Sequence, residues 1–338
     1  MVLRPAPLKP GDRIGVTAPS SGVAAPLRPR FEACLAALRD RGYDVVVGRC
    51  VDGASHVSAT KGERATELMG MLTDPDIRAV FPPWGGETAI DLLDQLDWDA
   101  LAAVDPTWVI GFSDTTTWML PLTLRLDWAT VHGAMLMDEP YRQPDGLARW
   151  SDLASATGPV TQRGLGVHRT AVSEDWVADP GLAEFTLDGR GTWSTLAPGP
   201  VDVTGRLVGG CIETVCNLAG TPYGDLPGWA NRQDEGTLVY LEACGDDAFT
   251  ICRNLYGLRL AGWFDRARAV VIGRTPAPDC DTLTQHEAVA DALGGLGVPV
   301  VLDVECGHVA PRMPLVNGAL ARLVVDGDRH ELTQDPTR

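Results

Sequence analysis

Arg13-Ile-Gly-Val-Thr17 runs into Ala18-Pro-Ser-Ser-Gly22, and Phe31, Cys34, Leu35 and Leu38 follow. The first stretch reads as a short strand, the second as a loop, and the four apolar residues fall at i, i+3, i+4 and i+7, one face of a helix. A strand, a loop and a helix in that order make the unit from which α/β sheets are built. The alternation recurs outward from it. Strands are predicted at 44–47 and 77–81, with a helix near 64–71 between them. The second of these strands enters Pro82-Pro83-Trp84-Gly85-Gly86, a rigid turn followed by flexible backbone. Residues 87–96 read as helical, 108–110 as a strand and 115–124 as a helix, which makes the chain α/β to about residue 135. Between 138 and 200 the periodicity fades and Gly, Pro, Asp and Arg dominate, so a long linker or substrate loop is expected. Beyond it, strands are predicted at 205–208, 238–241, 269–272, 300–304 and 322–325, with helices at 211–218, 249–260 and 283–293. The division is therefore 1–137, 138–200 and 201–338.

Composition narrows the function. The 338 residues carry 28 Lys+Arg against 45 Asp+Glu, a net charge of −17. Such a chain lacks the basic face that a nucleic-acid polymer or an anionic membrane requires. No run reaches the roughly 18 apolar residues of a spanning helix, and Met1–Val16 has no apolar leader core, so a cytoplasmic location is expected. The eight cysteines lie mostly in apolar runs without a C-x-x-C pair, and the six histidines lack H-x-x-x-H or H-E-x-x-H spacing. Buried thiols, no metal and no cofactor are expected. A nicotinamide or ATP enzyme is disfavoured, because neither G-x-G-x-x-G nor G-x-x-x-x-G-K-[ST] occurs.

Three residues just past predicted strands are candidates for chemistry. Ser113, in Val109-Ile-Gly-Phe-Ser-Asp114, is placed either as a nucleophile lifted clear of a sheet or as a simple helix N-cap. Glu242 closes the apolar run Thr237-Leu-Val-Tyr-Leu-Glu242, where open α/β sheets carry ligand sites, or else it is a solvated strand end. His308 lies in Gly307-His308-Val309, as a general base or a surface residue. Serine is inert at its free pKa, so an imidazole must take its proton and a carboxylate must orient that imidazole. Gly85-Gly86 and the Asp114 N–H are candidates for an oxyanion hole. Two competing readings stand beside this one: Cys244 as a nucleophile with His308 or His286 as its base, and a two-domain protein that closes on a small ligand without chemistry.

In combination the residues resemble the LD-carboxypeptidases and microcin C self-immunity peptidases, which form one serine-peptidase family. The resemblance rests on Leu8-Lys-Pro-Gly-Asp-Arg-Ile-Gly-Val-Thr-Ala-Pro-Ser20, Gly85-Gly86, Leu92-Leu-Asp-Gln-Leu-Asp97, Gly111-Phe-Ser-Asp-Thr-Thr116 and His132-Gly133. It continues through Gly205-Arg-Leu-Val-Gly-Gly210, Gly220-Thr-Pro-Tyr223, Leu241-Glu242 and Gly307-His308-Val309. It implies an N-terminal flavodoxin-like α/β domain and a C-terminal α/β domain, with the active site at their interface, a homodimer, and no metal. It also implies Ser113 as nucleophile, His308 as base, Glu242 as orienter, and the N–H groups of Gly86 and Asp114 as oxyanion donors. Two departures are visible: Cys211 stands where many relatives have Asn, and Pro82-Pro83-Trp84 replaces the more usual Arg-Gly-Gly type of entry.

The family's two branches imply two substrates. LD-carboxypeptidases release a terminal D-amino acid from cell-wall tetrapeptide, and the immunity branch cuts an amide next to an aspartyl-nucleotide. The long 138–200 segment resembles the immunity branch, whose loop carries an aromatic residue against the base. Trp176 is the candidate for that stacking role; alternatively Trp176 or Trp193 pins the loop to the body. Trp84, Gly85 and Cys211 are further substrate-binding candidates, and Arg253 and Arg274 are candidates for an anionic substrate group. The expected substrate is a small molecule or short peptide.

Overall fold

The computed structural model describes residues 2–171 and 174–338. Its first half holds β1 (Arg13–Val16), α1 (Arg28–Asp40), β2 (Asp44–Val47), α2 (Lys61–Thr73), β3 (Ile77–Val80), α3 (Trp98–Ala102), β4 (Trp108–Gly111), α4 (Thr116–Leu126) and β5 (Thr130–His132). The middle holds α5 (Trp150–Ser155), β6 (Val160–Arg163), β7 (Val167–His168), β8 (Gly189–Arg190) and β9 (Ser194–Thr195). The last part holds β10 (Val201–Cys211), α6 (Ile212–Val215), α7 (Leu226–Ala230), β11 (Thr237–Glu242), α8 (Ala248–Leu260), β12 (Ala267–Gly273), α9 (Gln285–Leu293) and β13 (Val300–Val304). β14 (Leu315–Asn317), β15 (Leu320–Asp326) and β16 (Arg329–Asp335) close it.

Two large sheets result, of order β14-β5-β4-β3-β1-β2 and β6-β16-β15-β10-β11-β12-β13-β9. β1 to β5 pair in parallel, as do β10 to β13. This is the α/β class expected from the alternation, and it has a direct consequence. Parallel strands end on one rim of their sheet, so the loops after β3, β4 and β5 share one rim and those after β10, β11 and β13 another, each a rim at which α/β sheets bind ligands.

Three departures from the sequence reading have physical causes. Residues 87–96 hold one 3-10 turn, Ala89–Leu92, where a longer helix was expected. The 138–200 segment is not structureless: β6 pairs with β16 and β9 with β13, extending both edges of the second sheet. Pairings of two to four residues leave too little periodicity to read. β14 crosses back to the first sheet, with Leu315 opposite His132, so the chain interlocks the two halves.

The core follows the same logic. Every residue from Thr116 to Leu124 of α4 is buried. Trp118 and Leu122 share one apolar cluster with Val208, Ile212, Val215 and Trp229 from the second half. Burying a large apolar side chain contributes roughly 1.5–3 kcal/mol, so this contact fixes the start of α4 against the C-terminal sheet.

Candidate active site

Ser113 follows β4 through Phe112 and opens the 3-10 turn Ser113–Thr115 that leads into α4. Its φ is +58°. A non-glycine residue held in the left-handed region costs about 1–3 kcal/mol, and such outliers cluster at functional sites. The N-cap reading does not fit this geometry. Phe112, at φ −161°, occupies the N-cap, and no side-chain cap bond forms there. The sharp turn between strand and helix is that of a nucleophile elbow.

The backbone beside Ser113 belongs to Gly85 and Gly86. A Cβ on Gly85 would lie 2.9 Å from the Asp114 nitrogen and 3.2 Å from Ser113 Oγ. One on Gly86, at φ +152°, would lie 2.2 Å from Ser20 Oγ. Only glycine allows this approach. The Asp114 side chain locks the arrangement: its Oδ2 accepts from Ser20 Oγ (2.5 Å) and from the Ala89 N–H (2.8 Å), and its Oδ1 from Thr117 Oγ1 (3.3 Å).

Glu242, the last residue of β11, is fully buried. Its Oε2 accepts a hydrogen bond of 2.6 Å from His308 Nδ1, and its Oε1 lies 3.7 Å from His132 Nε2. Gly307, at φ +98°, makes the closure possible, because a Cβ there would lie 2.4 Å from Glu242 Oε2. With Nδ1 engaged by Glu242, His308 Nε2 is the ring nitrogen that faces away from the carboxylate. The His308 ring stands edge-on to Phe112, centroids 5.0 Å apart, against the residue preceding Ser113.

The charges are coupled. Burial alone would raise the Glu242 carboxyl, but the His308 charge and hydrogen bond outweigh it and hold the group below its ordinary value. Burial would lower His308, but the Glu242 charge, with hydrogen bonds to Cys244 and Glu242, raises it to about 10. His132 is buried and pushed down to about 4, chiefly by desolvation. Cys211, Glu242 and His308 each bring one donor atom within 4.8 Å of the others. The carboxylate and the imidazole are already closed on each other, which reads as a proton-handling pair.

A cavity of about 250 Å³ lies over Ser113, lined also by Gly86, Cys211, Glu213, Cys244 and Asp246. Of the substrate-binding candidates, the structure brings Cys211 to this cavity. Gly85 backs it, and Trp84 donates its indole N–H to Ser21 O (3.1 Å) without lining it. Trp176 does not line it either: its indole N–H donates to Tyr141 Oη (2.8 Å), and the Arg30 guanidinium lies 5.0 Å from its ring. It pins its loop to α1, while Val172 and Ser173 beside it lie outside the described residues. Trp193 is likewise an anchor, donating to Glu305 Oε2 at 2.6 Å. Arg253 bonds Thr250 on α8, and Arg274 faces a separate cavity, so neither meets the cavity at Ser113.

Sequence reasoning missed Glu213. Its Oε1 accepts three consecutive N–H groups, of Cys244 (2.7 Å), Gly245 (3.0 Å) and Asp246 (3.3 Å), and its Oε2 accepts from Cys211 Sγ (3.0 Å). One carboxylate thereby shapes the loop after Glu242. Its only sequence signal is its place three residues after Gly210. His132, beside Glu242, was visible in the sequence solely as half of a His-Gly pair.

Comparison with known proteins places the chain in a family. Models of the LD-carboxypeptidase N-terminal and C-terminal domains match residues 14–133 and 204–323. A protein of Streptomyces coelicolor named as a carboxypeptidase is 31% identical over 99% of this chain and 96% of its own. The chain belongs to the LD-carboxypeptidase family. The microcin C7 self-immunity protein MccF of Escherichia coli is 25% identical over 97% of this chain and 94% of its own. The murein tetrapeptide carboxypeptidase of Pseudomonas aeruginosa is 25% identical over 94% of each chain. The fold is that of MccF, with a TM-score of 0.82 at 23% identity over 99% of this chain and 98% of that one. As a member of this family the protein is a peptidase, and none of its described helices is long and apolar enough to cross a membrane.

Proposed function

We propose that this family member is a serine hydrolase of amide bonds. Ser113 attacks the carbonyl, and His308 Nε2 takes the hydroxyl proton while Glu242 holds the imidazole by its other nitrogen. The Gly86 and Asp114 N–H groups hold the oxyanion. The tetrahedral intermediate collapses as His308 returns the proton to the leaving amine. Water then attacks the acyl-serine by the same route and frees the acid. The observation that carries the reading is the 2.6 Å Glu242–His308 bond, set against the neighbour of a serine held at φ +58°.

The substrate is an aminoacyl- or peptidyl-nucleotide amide. MccF, a relative matched across nearly the whole chain, has been solved with aspartyl sulfamoyl adenosine and glutamyl sulfamoyl guanosine. The second reading is the terminal D-amino acid bond of murein tetrapeptide. It is favoured by the Pseudomonas relative and by Trp176, which stands on Arg30 away from the cavity. The cavity adds a constraint of its own: Glu87, Glu213 and Asp246 line it, and among the described residues no Lys or Arg does. Glu87 and Asp246 thus favour a neutral or cationic group over a carboxylate at their end of the cavity, since a carboxylate there meets like charge.

The test is hydrolysis followed by mass spectrometry for wild type and Ser113→Ala. The substrates are murein L,D-tetrapeptide and the aspartyl and lysyl sulfamoyl adenosines. Cleavage of a sulfamoyl adenosine that vanishes in the variant supports the first reading, and cleavage of tetrapeptide alone supports the second. Hydrolysis that survives Ser113→Ala contradicts the mechanism, and binding without cleavage of any substrate returns the protein to the ligand-binding class.

A further inference from the structure

A second cavity, of about 460 Å³, opens beyond the ends of β12 and β13 and shares no lining residue with the cavity over Ser113. One wall is the sheet rim, with Arg274 directly after β12 and Asp303 within β13. The other is the β7–β8 hairpin, with His168 and Arg190, and α9 contributes His286. In a chain of net charge −17, two arginines and two histidines are thus gathered around one hollow.

The carboxylates of this cavity are already engaged. Asp303 Oδ1 lies 3.2 Å from His286 Nε2, and Asp279 Oδ1 accepts the Gln285 N–H at 2.7 Å. Asp303 holds φ +62° where the register of β12 against β13 shifts. A cationic donor, in contrast, is left over. Arg274 is 8% exposed and spends Nη2 on the carbonyls of Gly191 (3.1 Å) and Asp303 (2.9 Å). Its Nη1 finds no acceptor among the described residues, and His168 Nδ1 likewise finds no partner among them. Arg190, exposed at the end of β8, lines the cavity and has no ion pair among the described residues. A buried guanidinium N–H without an acceptor is costly, and the planar fork of Arg matches a carboxylate or phosphate.

We infer that the cavity between the β7–β8 hairpin and the rim of β12 and β13 binds a small molecule through a carboxylate or phosphate group held by Arg274 and Arg190. Its volume lies in the range of small-ligand sites. The inference is independent of the catalytic reading, because neither arginine lines the cavity at Ser113.

Titration calorimetry on the full chain tests it, with inorganic phosphate, succinate and adenosine monophosphate as probes, so that phosphate and carboxylate are compared directly. The expected result is saturable binding of phosphate or succinate that weakens at least about tenfold in Arg190→Ala and again in Arg274→Gln, as loss of a charge-assisted hydrogen bond requires. Ser113→Ala should bind the same probe with wild-type affinity. Arg190 lies on the exposed side of the hairpin, so Arg190→Ala keeps the test valid even where Arg274→Gln unfolds. Two results overturn the inference: no binding of phosphate or succinate below about 10 mM, a range in which even weak sites register, or binding that keeps its affinity in both arginine variants.

Discussion

The N-terminal sheet presents Ser113 on a left-handed elbow whose position is fixed by backbone, whereas the C-terminal sheet buries Glu242 completely and closes it on His308 by charge. The serine end rests on glycines that admit close approach and on Asp114 bonds that tie three loops together. The carboxylate end rests on desolvation offset by pairing, so removing one member leaves the other unbalanced. The two halves should therefore fail differently: loss of the nucleophile abolishes chemistry and spares the fold, while damage to the pair disturbs both.

The largest effect is expected for Ser113→Ala. Steady-state kinetics should show kcat reduced by roughly 10⁴-fold or more, with an unchanged melting temperature, since the methyl side chain keeps the elbow. Next comes Glu242→Gln, with kcat about 10³–10⁴-fold lower. A base must be neutral to accept a proton, so raising His308 makes activity climb with pH through its pKa. Removing the carboxylate lowers that pKa and should move the acid limb of the pH–rate profile to lower pH. An unmoved limb would disconnect Glu242 from His308.

Gly307→Ala sharpens the contrast. It combines φ +98° with a Cβ driven into Glu242, whereas Gly297→Ala at φ +74° meets nothing within 4 Å. Both should lose about 1 kcal/mol or more in denaturant unfolding from the backbone alone, but only Gly307→Ala should also lose activity. Smaller still is Asp246→Asn, which should raise kcat/KM severalfold for an acidic acyl group relative to a neutral one by removing like charge from the cavity. The smallest effect is expected for Cys244→Ala. It should retain kcat within a few-fold of wild type, with a slight downward shift of the same acid limb, because its thiol helps to hold His308 raised.

The sequence was most readable where structure is local and buried. β1 and β3 with their helices form apolar runs and faces whose period survives inspection, and so do β11 and β13. β16 escaped because it alternates polar residues, with Leu332 and Gln334 turned inward, and the amide of Gln334 is satisfied by Pro314 O and the Val316 N–H. β14 escaped because three residues carry no period and its partner, β5, lies almost 200 positions earlier. The same rule divides the site. Ser113, Glu242 and His308 each follow a strand, so their place at sheet rims could be inferred. Glu213 and His132 could not, because their parts depend on loops that only the tertiary fold brings together. Trp176 was left between two roles for a related reason: a tryptophan in a polar loop looks alike whether it faces a ligand or the guanidinium of Arg30.

The central claim is that Ser113, and not the neighbouring Cys244, carries the acyl group. Intact-protein and peptide mass spectrometry after reaction with a serine-directed fluorophosphonate tests it most directly. The expected result is one adduct on the peptide containing Ser113, retained in Cys244→Ala and absent from Ser113→Ala. An adduct on Cys244, or labelling that persists in Ser113→Ala, would contradict the account.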